Sequence, residues 1–280
     1  MDNRPIGVLD SGMGGLTAVR ELLKALPKED IVYFGDTGRV PYGTRSAEIV
    51  TQYAMQDINF LLSQGVKMVI AACGTVTTTL PQKLSDRFPF PYTGVLYPTV
   101  RAALKATRNG KIGVIATATT IRTGAYEREL VRMDPKVQVF SNPCPLFVPL
   151  VENGYVNREN QVTRLVAEEY LAPLRKEGVD TLILGCTHYP VIAPIIGDLM
   201  GEDVALIDSG KAAADYAKEL LEEKALLAGR ERGGRYSFYV SDSPEQFAEN
   251  AAMFLGGNFC GEVKKVEITG YPDCLNGDTM

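Results

Sequence analysis

Short apolar runs alternate with amphipathic stretches along most of this chain. Seven runs rich in valine, isoleucine and leucine are predicted to be buried β-strands: IGVLD (6–10), IVYFGD (31–36), MVIAAC (68–73), YTGVL (92–96), IGVIAT (112–117), VQVFS (137–141) and TLILGC (181–186). Three of the stretches between them have clear helical patterns: LTAVRELLKAL (16–26), SAEIVTQYAMQDINFLLSQG (46–65) and RENQVTRLVAEEYLAPLRKEG (158–178). This alternation predicts mostly parallel sheets with right-handed crossovers, so the expected fold class is α/β.

A weak internal repeat indicates that the α/β pattern occurs twice. Two pairs of segments align: VKMVIAACGTVTTTLP (66–81) with VDTLILGCTHYPVIAP (179–194), and IGVLDSGMGGLT (6–17) with IGVIATATTIRT (112–123). The first alignment places Cys73 and Cys186 at matching positions. We therefore predict two pseudo-symmetric α/β domains, with the active site in the cleft between them.

The domain boundaries follow from where the two patterns stop. Residues 97–208 are expected to form the second domain, which ends where LIDSG (206–210) opens a new segment. A helical pattern, a glycine-rich turn and the strand pattern YSFYVSD (236–242) come after it. This tail either forms a third piece or completes the first sheet, and we assign 1–96 together with 209–280 to the first domain.

Composition limits the classes of partner. The 280 residues carry a formal net charge of −5, and no basic run is longer than a pair, so neither nucleic acid nor an anionic membrane surface is expected as a partner. Neither a run of about 18 apolar residues nor a signal-peptide pattern is visible, which predicts a soluble, cytoplasmic protein. A small-molecule substrate is the better expectation.

The cysteines predict free thiols. Five are present and widely separated: Cys73, Cys144, Cys186, Cys260 and Cys274. An odd number without short spacings is unlike a disulfide framework. No metal site is expected either, because CxxC pairs are absent and Cys186 with His188 would supply only two ligands. Cys144, Cys260 and Cys274 have no matching context, so we interpret them as structural or incidental.

Polar side chains follow five of the predicted strands. They are Asp10 and Ser11, Asp36, Cys73 and Thr75, Thr117, and Cys186, Thr187 and His188. Ligands of open α/β sheets bind at the carboxyl ends of the strands, so these residues are candidates for a binding site.

Cys73 and Cys186 give the sharpest signal. Each precedes a predicted helix, where backbone N–H groups and the helix dipole favour a thiolate. Either one alone is more simply a buried core cysteine, but their matched placement in the repeat favours a function. Two thiols facing each other across a cleft could act as base and acid on opposite faces of one carbon. They could instead form a redox pair, although redox pairs are usually close in sequence.

The glycine-rich stretch DSGMGGLT (10–17) resembles a phosphate loop only superficially. Thr17 stands where GxGxxG requires a third glycine, and the Lys-Ser/Thr ending of a Walker loop is absent. Its glycines are expected to let backbone amides approach a small carboxylate, with a tight turn as the alternative. Asp10 is expected to orient an ammonium group, to assist a thiol or to cap the following helix.

Two further segments are candidates for pocket walls. GDTGRVPYG (35–43), which contains Tyr42, forms either a pocket wall or a plain Gly/Pro loop. PCPLFVPLVE (143–152) has three prolines in an apolar run, so we expect neither an ordinary helix nor a strand there. Glu152 at its end is a candidate acid near the cleft, with a solvated surface glutamate as the alternative.

Five motifs, in this order and at these separations, resemble the glutamate racemases of the cofactor-independent amino-acid racemase family: DSGMGGLT, GDTGRVPYG, AACGTVTT, CPLFVPLVE and LGCTHYP. The resemblance runs from Ile6 to about Ser209, and more loosely beyond. It implies two pseudo-symmetric α/β domains with the substrate between them, and interconversion of L- and D-glutamate for peptidoglycan. It also implies a homodimer that uses neither pyridoxal phosphate nor any other cofactor.

The resemblance also implies roles for the matching residues. Cys73 and Cys186 would be the acid/base pair, assisted by Asp10 and His188, and Asp36 and Glu152 would be supporting acids. The substrate site would be lined by Asp10, Ser11, Tyr42, Gly43, Gly74, Thr75, Thr187 and His188. The chemistry agrees, because racemisation removes a proton from one face of a carbon and returns one to the other, which two opposed thiols can do. Hydroxyls, including that of Thr117, and backbone N–H groups are expected to bind the carboxylates and stabilise the carbanion.

One position departs from the family pattern. Family members commonly read Cys-Asn-Thr where this chain has Cys73-Gly74-Thr75. The missing amide removes a hydrogen bond worth roughly 0.5 to 1.5 kcal/mol, which affects affinity or substrate choice more than proton transfer. An aspartate or hydantoin racemase, a related decarboxylase or isomerase, or a non-catalytic protein that binds a small anion or another protein therefore remain alternatives.

Overall fold

Parallel β-strands form two separate sheets in the computed structural model, which describes residues 1–80, 82–257, 259 and 261–271. In chain order the strands within these ranges are β1 (Ile6–Asp10), β2 (Ile31–Gly35), β3 (Met68–Ala71), β4 (Tyr92–Gly94), β5 (Lys111–Ala116), β6 (Gln138–Pro143), β7 (Thr181–Leu184), β8 (Ala205–Asp208), β9 (Tyr236–Val240) and β10 (Val263–Lys265). The first sheet has the order β10-β9-β2-β1-β3-β4, and the second has the order β6-β5-β7-β8. Every pairing is parallel, so the predicted α/β class is confirmed.

All seven predicted strands are present, but several end earlier than expected. β3 ends at Ala71 and β7 at Leu184, so Cys73 and Cys186 each lie two residues beyond a strand. Both strands are fully buried, which explains why they read as unbroken apolar runs. The tail does not form a separate sheet, because β9 pairs with β2 and β10 with β9. The predicted domain boundaries themselves stay a prediction.

Helices connect the strands and cover both sheets. Within the described residues they are α1 (Leu16–Ala25), α2 (Ala47–Ser63), α3 (Gly74–Thr79), α4 (Gln82–Ser85), α5 (Leu96–Ala106), α6 (Ala118–Thr123), α7 (Ala125–Met133), α8 (Phe147–Glu152), α9 (Gln161–Glu177), α10 (Ala193–Met200), α11 (Ser209–Glu223) and α12 (Pro244–Leu255). Local chemistry sets several of the ends. The Asn160 side chain accepts a hydrogen bond from the N–H of Thr163 at the start of α9, and Gly178 ends that helix with φ of 71°. No helix in the described part of the chain is both long and apolar enough to cross a membrane.

The prediction for PCPLFVPLVE (143–152) was wrong. Its first residue, Pro143, ends the edge strand β6, and the segment from Phe147 to Glu152 is helical. Pro149 is tolerated because it lies in the first turn of α8, where its missing N–H would have no partner within the helix. This short helix carries Glu152 at its last position, so the correction matters for the site.

Candidate active site

A cavity of about 410 Å³ lies between the carboxyl ends of the two sheets. Eleven residues predicted for the site line it: Ser11, Tyr42, Gly43, Cys73, Gly74, Thr75, Thr117, Glu152, Cys186, Thr187 and His188. The segments after β1, β2 and β3 contribute from the first sheet, and the segments after β5, β6 and β7 contribute from the second. Asp10 and Asp36 do not line the cavity and lie behind its wall, where both are buried.

Cys73 lies on the first-sheet side of the cavity, at the N-terminal end of α3. Its side chain is nearly buried, with its sulfur 3.6 Å from the hydroxyl oxygen of Ser11. Burial raises the pKa of the Cys73 thiol to about 12, and the negative charge of Asp10 adds to the increase. At neutral pH Cys73 therefore carries its proton.

Cys186 lies on the second-sheet side and has a different neighbour. Its sulfur is 3.9 Å from Nδ1 of His188, whose other ring nitrogen, Nε2, lies 2.9 Å from Oε1 of Glu152. Burial alone would lower the pKa of His188, but the hydrogen bonds and charges of Cys186 and Glu152 outweigh it and raise that pKa to about 10. His188 is therefore an imidazolium at neutral pH, and it stabilises negative charge on the Cys186 sulfur.

The His188 ring is also packed against the tail of the chain. The edge of the ring contacts the ring of Phe254 in α12, with the centroids 5.3 Å apart and the planes at 87°. Sequence analysis missed this contact because Phe254 lies outside every motif. The tail therefore contributes to the second-sheet side of the site, although its strands belong to the first sheet.

Asp10 connects the first sheet to the cysteine loop of the second. Its Oδ2 accepts a hydrogen bond from the N–H of Gly12 at 3.0 Å, and its Oδ1 accepts one from the hydroxyl of Thr187 at 3.4 Å. Burial raises the pKa of Asp10, and the positive charge of His188 partly offsets that rise. The carboxyl group acts on the site through Thr187 and through its charge, because it does not reach the cavity surface.

Tyr42 lines the cavity with its ring while its hydroxyl points into a buried polar network. The hydroxyl donates to Asp36 and lies 3.1 Å from Oδ2 of Asp57 in α2. Arg39 binds both carboxyl groups, with Nε 2.6 Å from Asp36 and Nη2 3.0 Å from Asp57. Asp36 also accepts a hydrogen bond from Ser241 at 2.7 Å. The network holds the 39–44 loop against the core, so Asp36 supports the position of Tyr42 in the cavity wall.

Threonine hydroxyls bridge the two halves on the other side of the cavity. The hydroxyl oxygen of Thr75 lies 3.3 Å from that of Thr117 and 3.5 Å from that of Thr120. Thr119 donates to the carbonyl oxygen of Gly43. Thr119 and Thr120 were missed from sequence because nothing in the helical turn after β5 distinguishes these buried threonines from threonines on a surface.

Gly74 lies where the two halves come closest. A Cβ atom placed on it would be 2.5 Å from the carbonyl oxygen of Gly185, closer than real Cβ atoms approach a backbone oxygen. In this structure the position therefore has no room for a side chain. The absence of a side chain at Gly74 allows this close approach of the two backbones.

The arrangement as a whole places two thiols in unlike electrostatic surroundings around one cavity. One is protonated, and the other lies beside an imidazolium. Such a pair can remove a proton from a bound carbon acid with one group and deliver a proton with the other. Apolar side chains, including Val40 and Val148, form much of the remaining lining, and the hydroxyls of Ser11, Thr75 and Thr117 are the polar groups available to a small, anionic ligand.

Two parallel α/β sheets that enclose paired thiols define a protein of the α/β racemase class, and the comparisons agree with this class. The Asp/Glu/Hydantoin racemase family model matches residues 6–217, and the chain belongs to this family. It is therefore an isomerase. The family resemblance expected from the five motifs is confirmed.

Several relatives are similar over nearly the whole chain. A glutamate racemase from Geobacter metallireducens is 44% identical over 265 residues, which cover 95% of this chain and 97% of the relative. A glutamate racemase isoform from Bacillus anthracis has a similar structure, with a TM-score of 0.90 and 37% identity over 95% of this chain and 98% of that one. A glutamate racemase from Francisella tularensis, solved in complex with D-glutamate, has a TM-score of 0.88 and 40% identity, covering 97% of this chain and all of that one.

Proposed function

We propose that this protein interconverts L-glutamate and D-glutamate by two-thiol acid/base catalysis. The observation that carries the proposal is that Cys73 and Cys186, contributed by different sheets, line the same cavity. Relatives named glutamate racemase, which this chain matches over 97% or more of their length, support glutamate as the substrate.

The unlike surroundings of the two thiols suggest how the proton moves. In one direction the Cys186 thiolate removes the α-proton from one face of the amino acid, and the Cys73 thiol gives its proton to the opposite face. The products are the enantiomer, a Cys186 thiol and a Cys73 thiolate. In the other direction the roles are exchanged, so no external oxidant, reductant or cofactor is needed to balance the step.

Hydrogen-bond donors around the cavity are proposed to bind the two carboxylates and to stabilise the carbanion. Hydroxyls of Ser11, Thr75 and Thr117 face the same space, as does His188 with its positive charge. Donors held by a folded backbone need no rearrangement when charge develops on the substrate, which makes them more effective than water.

We further propose the cellular setting that the family resemblance implies. The product would be D-glutamate for peptidoglycan synthesis, made in the cytoplasm by a homodimer that requires neither a metal nor a cofactor. Size-exclusion chromatography coupled to light scattering would test the dimer: a mass near twice 30.5 kDa is expected, and a monomer would contradict it.

Incubation of the purified protein with L-glutamate in deuterated water tests the activity. We expect both D-glutamate and α-deuterated glutamate to form without added cofactor, and absence of both would refute the proposal. Cys73→Ala and Cys186→Ala should each abolish racemisation. Cys144→Ala is the matched control, since Cys144 is a buried thiol that does not line the cavity.

Aspartate is the second candidate substrate, because Gly74 lacks the amide that family members commonly offer at this position. A comparison of kcat/KM for the two amino acids decides between them. Faster turnover of aspartate than of glutamate would replace the proposed substrate but leave the two-thiol chemistry intact.

A further inference from the structure

The loop after β7 is held from the first half of the protein at three points. We define the cysteine turn as residues 185–188. The first contact is at Gly14, where an added Cβ would lie 2.3 Å from Oγ1 of Thr187 and 2.5 Å from Nδ1 of His188. Gly14 therefore lies directly against the side chains of Thr187 and His188, and a side chain at position 14 would displace both of them.

The second contact is a hydrogen bond between the halves. The hydroxyl of Thr17, in the first turn of α1, lies 2.8 Å from the carbonyl oxygen of Thr187 and 2.9 Å from that of Gly14. Thr17 is fully buried, so water cannot replace this donor. Thr17 thus fixes the backbone of the cysteine turn from the same side as Gly14.

The third contact is made at Gly185, the first residue of the turn. Gly74 contacts the carbonyl oxygen of Gly185 closely enough that a Cβ atom would be 2.5 Å away. Gly74 immediately follows Cys73, so this approach relates the backbone beside one thiol to the backbone beside the other. The cysteine turn is therefore confined between α1 with its preceding loop and the start of α3.

We propose that Gly14, Thr17 and Gly74 are positioning residues that hold the cysteine turn in register with the first half. This inference rests on the proposed function, because the position of the cysteine turn matters for the placement of the Cys186 thiol relative to the Cys73 thiol and to the His188 imidazolium. Misplacement of catalytic groups by about 1 Å can reduce a rate about a hundredfold. Relief of either glycine contact requires a shift of about that size, because ordinary contacts begin near 3.4 Å.

Thr17→Val tests the hydrogen bond with little change in volume. Loss of one buried hydrogen bond predicts a fall in kcat/KM of about two- to tenfold. Thr17→Ser, which keeps the hydroxyl, should restore the wild-type value. Thr163→Val is the matched control, because Thr163 is equally buried and donates to a backbone oxygen, that of Tyr155, away from the cavity. Equal kcat/KM in Thr17→Val and Thr163→Val would overturn the proposal.

Gly14→Ala and Gly74→Ala test the close contacts. Each should lower kcat/KM about a hundredfold. Gly197→Ala should not, because an added Cβ there makes only an ordinary contact, 3.6 Å from Leu206. Circular dichroism and the midpoint of thermal unfolding identify any glycine variant that fails to fold. If either glycine variant fails to fold, the Thr17 variants test the proposal instead. Activity of both alanine variants within threefold of wild type would contradict the proposal.

A readout that does not depend on glutamate separates this inference from the proposed function. The rate at which iodoacetamide alkylates Cys186 at pH 7 depends on how close the thiol lies to the His188 imidazolium, because the thiolate is the reactive form. We expect this rate to be at least twofold lower in Thr17→Val than in Thr163→Val. If the wild type does not racemise glutamate, the proposed function fails while this comparison remains valid. An unchanged or faster rate in Thr17→Val would refute the positioning role itself.

Discussion

Nε2 of His188 lies 2.9 Å from Oε1 of Glu152, and this contact, together with the hydrogen bond to Cys186, raises the pKa of the buried imidazole. The carboxylate stabilises the imidazolium against the cost of burial, and the imidazolium in turn lies 3.9 Å from the Cys186 sulfur. Among the described residues, the charged group that most affects the pKa of Cys73 is the negative Asp10, and no cation contributes to it. Two chemically identical side chains are thereby placed in opposite electrostatic surroundings.

Replacement of Glu152 by glutamine is expected to move the alkaline limb of the pH profile for kcat/KM to lower pH. An amide can still accept a hydrogen bond but carries no charge, so the pKa of His188 should fall from its value of about 10. The pH profile from 6 to 11 measures the shift. An alkaline limb at the same pH as in the wild type would contradict the role of Glu152.

Equilibrium unfolding offers a second measurement on the same pair. The pKa of His188 is raised from 6.5 to about 10 in the folded protein, so its contribution to stability is complete below about pH 6.5 and is lost as the pH rises through about 10. The stability difference between wild type and Glu152→Gln should therefore shrink between those two pH values. The carboxylate is 40% exposed, so salt should reduce the difference at every pH.

Cysteine labelling at neutral pH should distinguish the thiols. Cys186 is expected to react with iodoacetamide faster than Cys73 or Cys144, because thiolates are the reactive form and burial raises the pKa of the other two. Mass spectrometry of peptides after timed labelling measures the three rates. Replacement of His188 by asparagine should slow the labelling of Cys186 but not that of the other two cysteines. If Cys73 were labelled first in the wild type, Cys73 rather than Cys186 would be the more reactive thiol.

Asp57 should tolerate asparagine better than alanine. Burial raises the pKa of Asp57 well above its usual range, and the charge of Asp36 raises it further. A carboxyl group that is already neutral loses little on conversion to an amide, so Asp57→Asn should cost less than about 1 kcal/mol of unfolding free energy at pH 7. Asp57→Ala removes one hydrogen-bond partner each from Arg39 and Tyr42, which keep only their other contacts, and should cost about 1 to 3 kcal/mol more.

The sign of the pH effect follows from the same shift. Because the pKa of Asp57 is raised in the folded protein, its contribution to the free energy of unfolding is complete below pH 3.8 and is lost as the pH rises. Stability of the wild type relative to Asp57→Asn should thus be greater at pH 4 than at pH 7. Urea unfolding at both values checks this, and the opposite trend would mean that Asp57 is ionised in the fold.

The buried ion pair between Lys67 and Glu29 should be sensitive to loss of one partner. Lys67 Nζ lies 2.6 Å from Glu29 and donates to the carbonyl oxygens of Asp2 and Leu226. Glu29→Gln leaves a buried charge without its counter-ion and should cost about 3 to 5 kcal/mol, and the added change Lys67→Met should recover part of it.

A surface pair provides the control for that measurement. Lys211 and Asp215 form an exposed ion pair in α11, and Asp215→Asn should cost less than about 1 kcal/mol. Urea unfolding of the variants compares the two. Similar losses for Glu29→Gln and Asp215→Asn would show that the Lys67 carbonyl contacts suffice without the carboxylate.

Five of the seven strands predicted from sequence, β1, β2, β3, β5 and β7, are buried along almost their whole length, whereas β4 and β6 are partly exposed. β8 and β10 were not predicted. All four residues of β8 are only partly buried, and β10 is a three-residue edge strand with two lysines, so neither produces a long apolar run. The helix α8 was mispredicted because three prolines argue against a helix, whereas the one proline inside α8, Pro149, lies in its first turn, where proline is tolerated. Cys260 and Cys274 lie outside the described residues.

The sequence by itself determined the alternation of elements, and with it that Cys73 and Cys186 would both follow strands of parallel sheets. It could not determine that Arg39 pairs with Asp57, that Phe254 packs on His188, or that Gly14 and Gly74 press on the cysteine turn. Periodicity reports only the burial of neighbours along the chain. Contacts between residues that are not neighbours along the chain, and the protonation states that depend on them, arise only when the folded elements pack together.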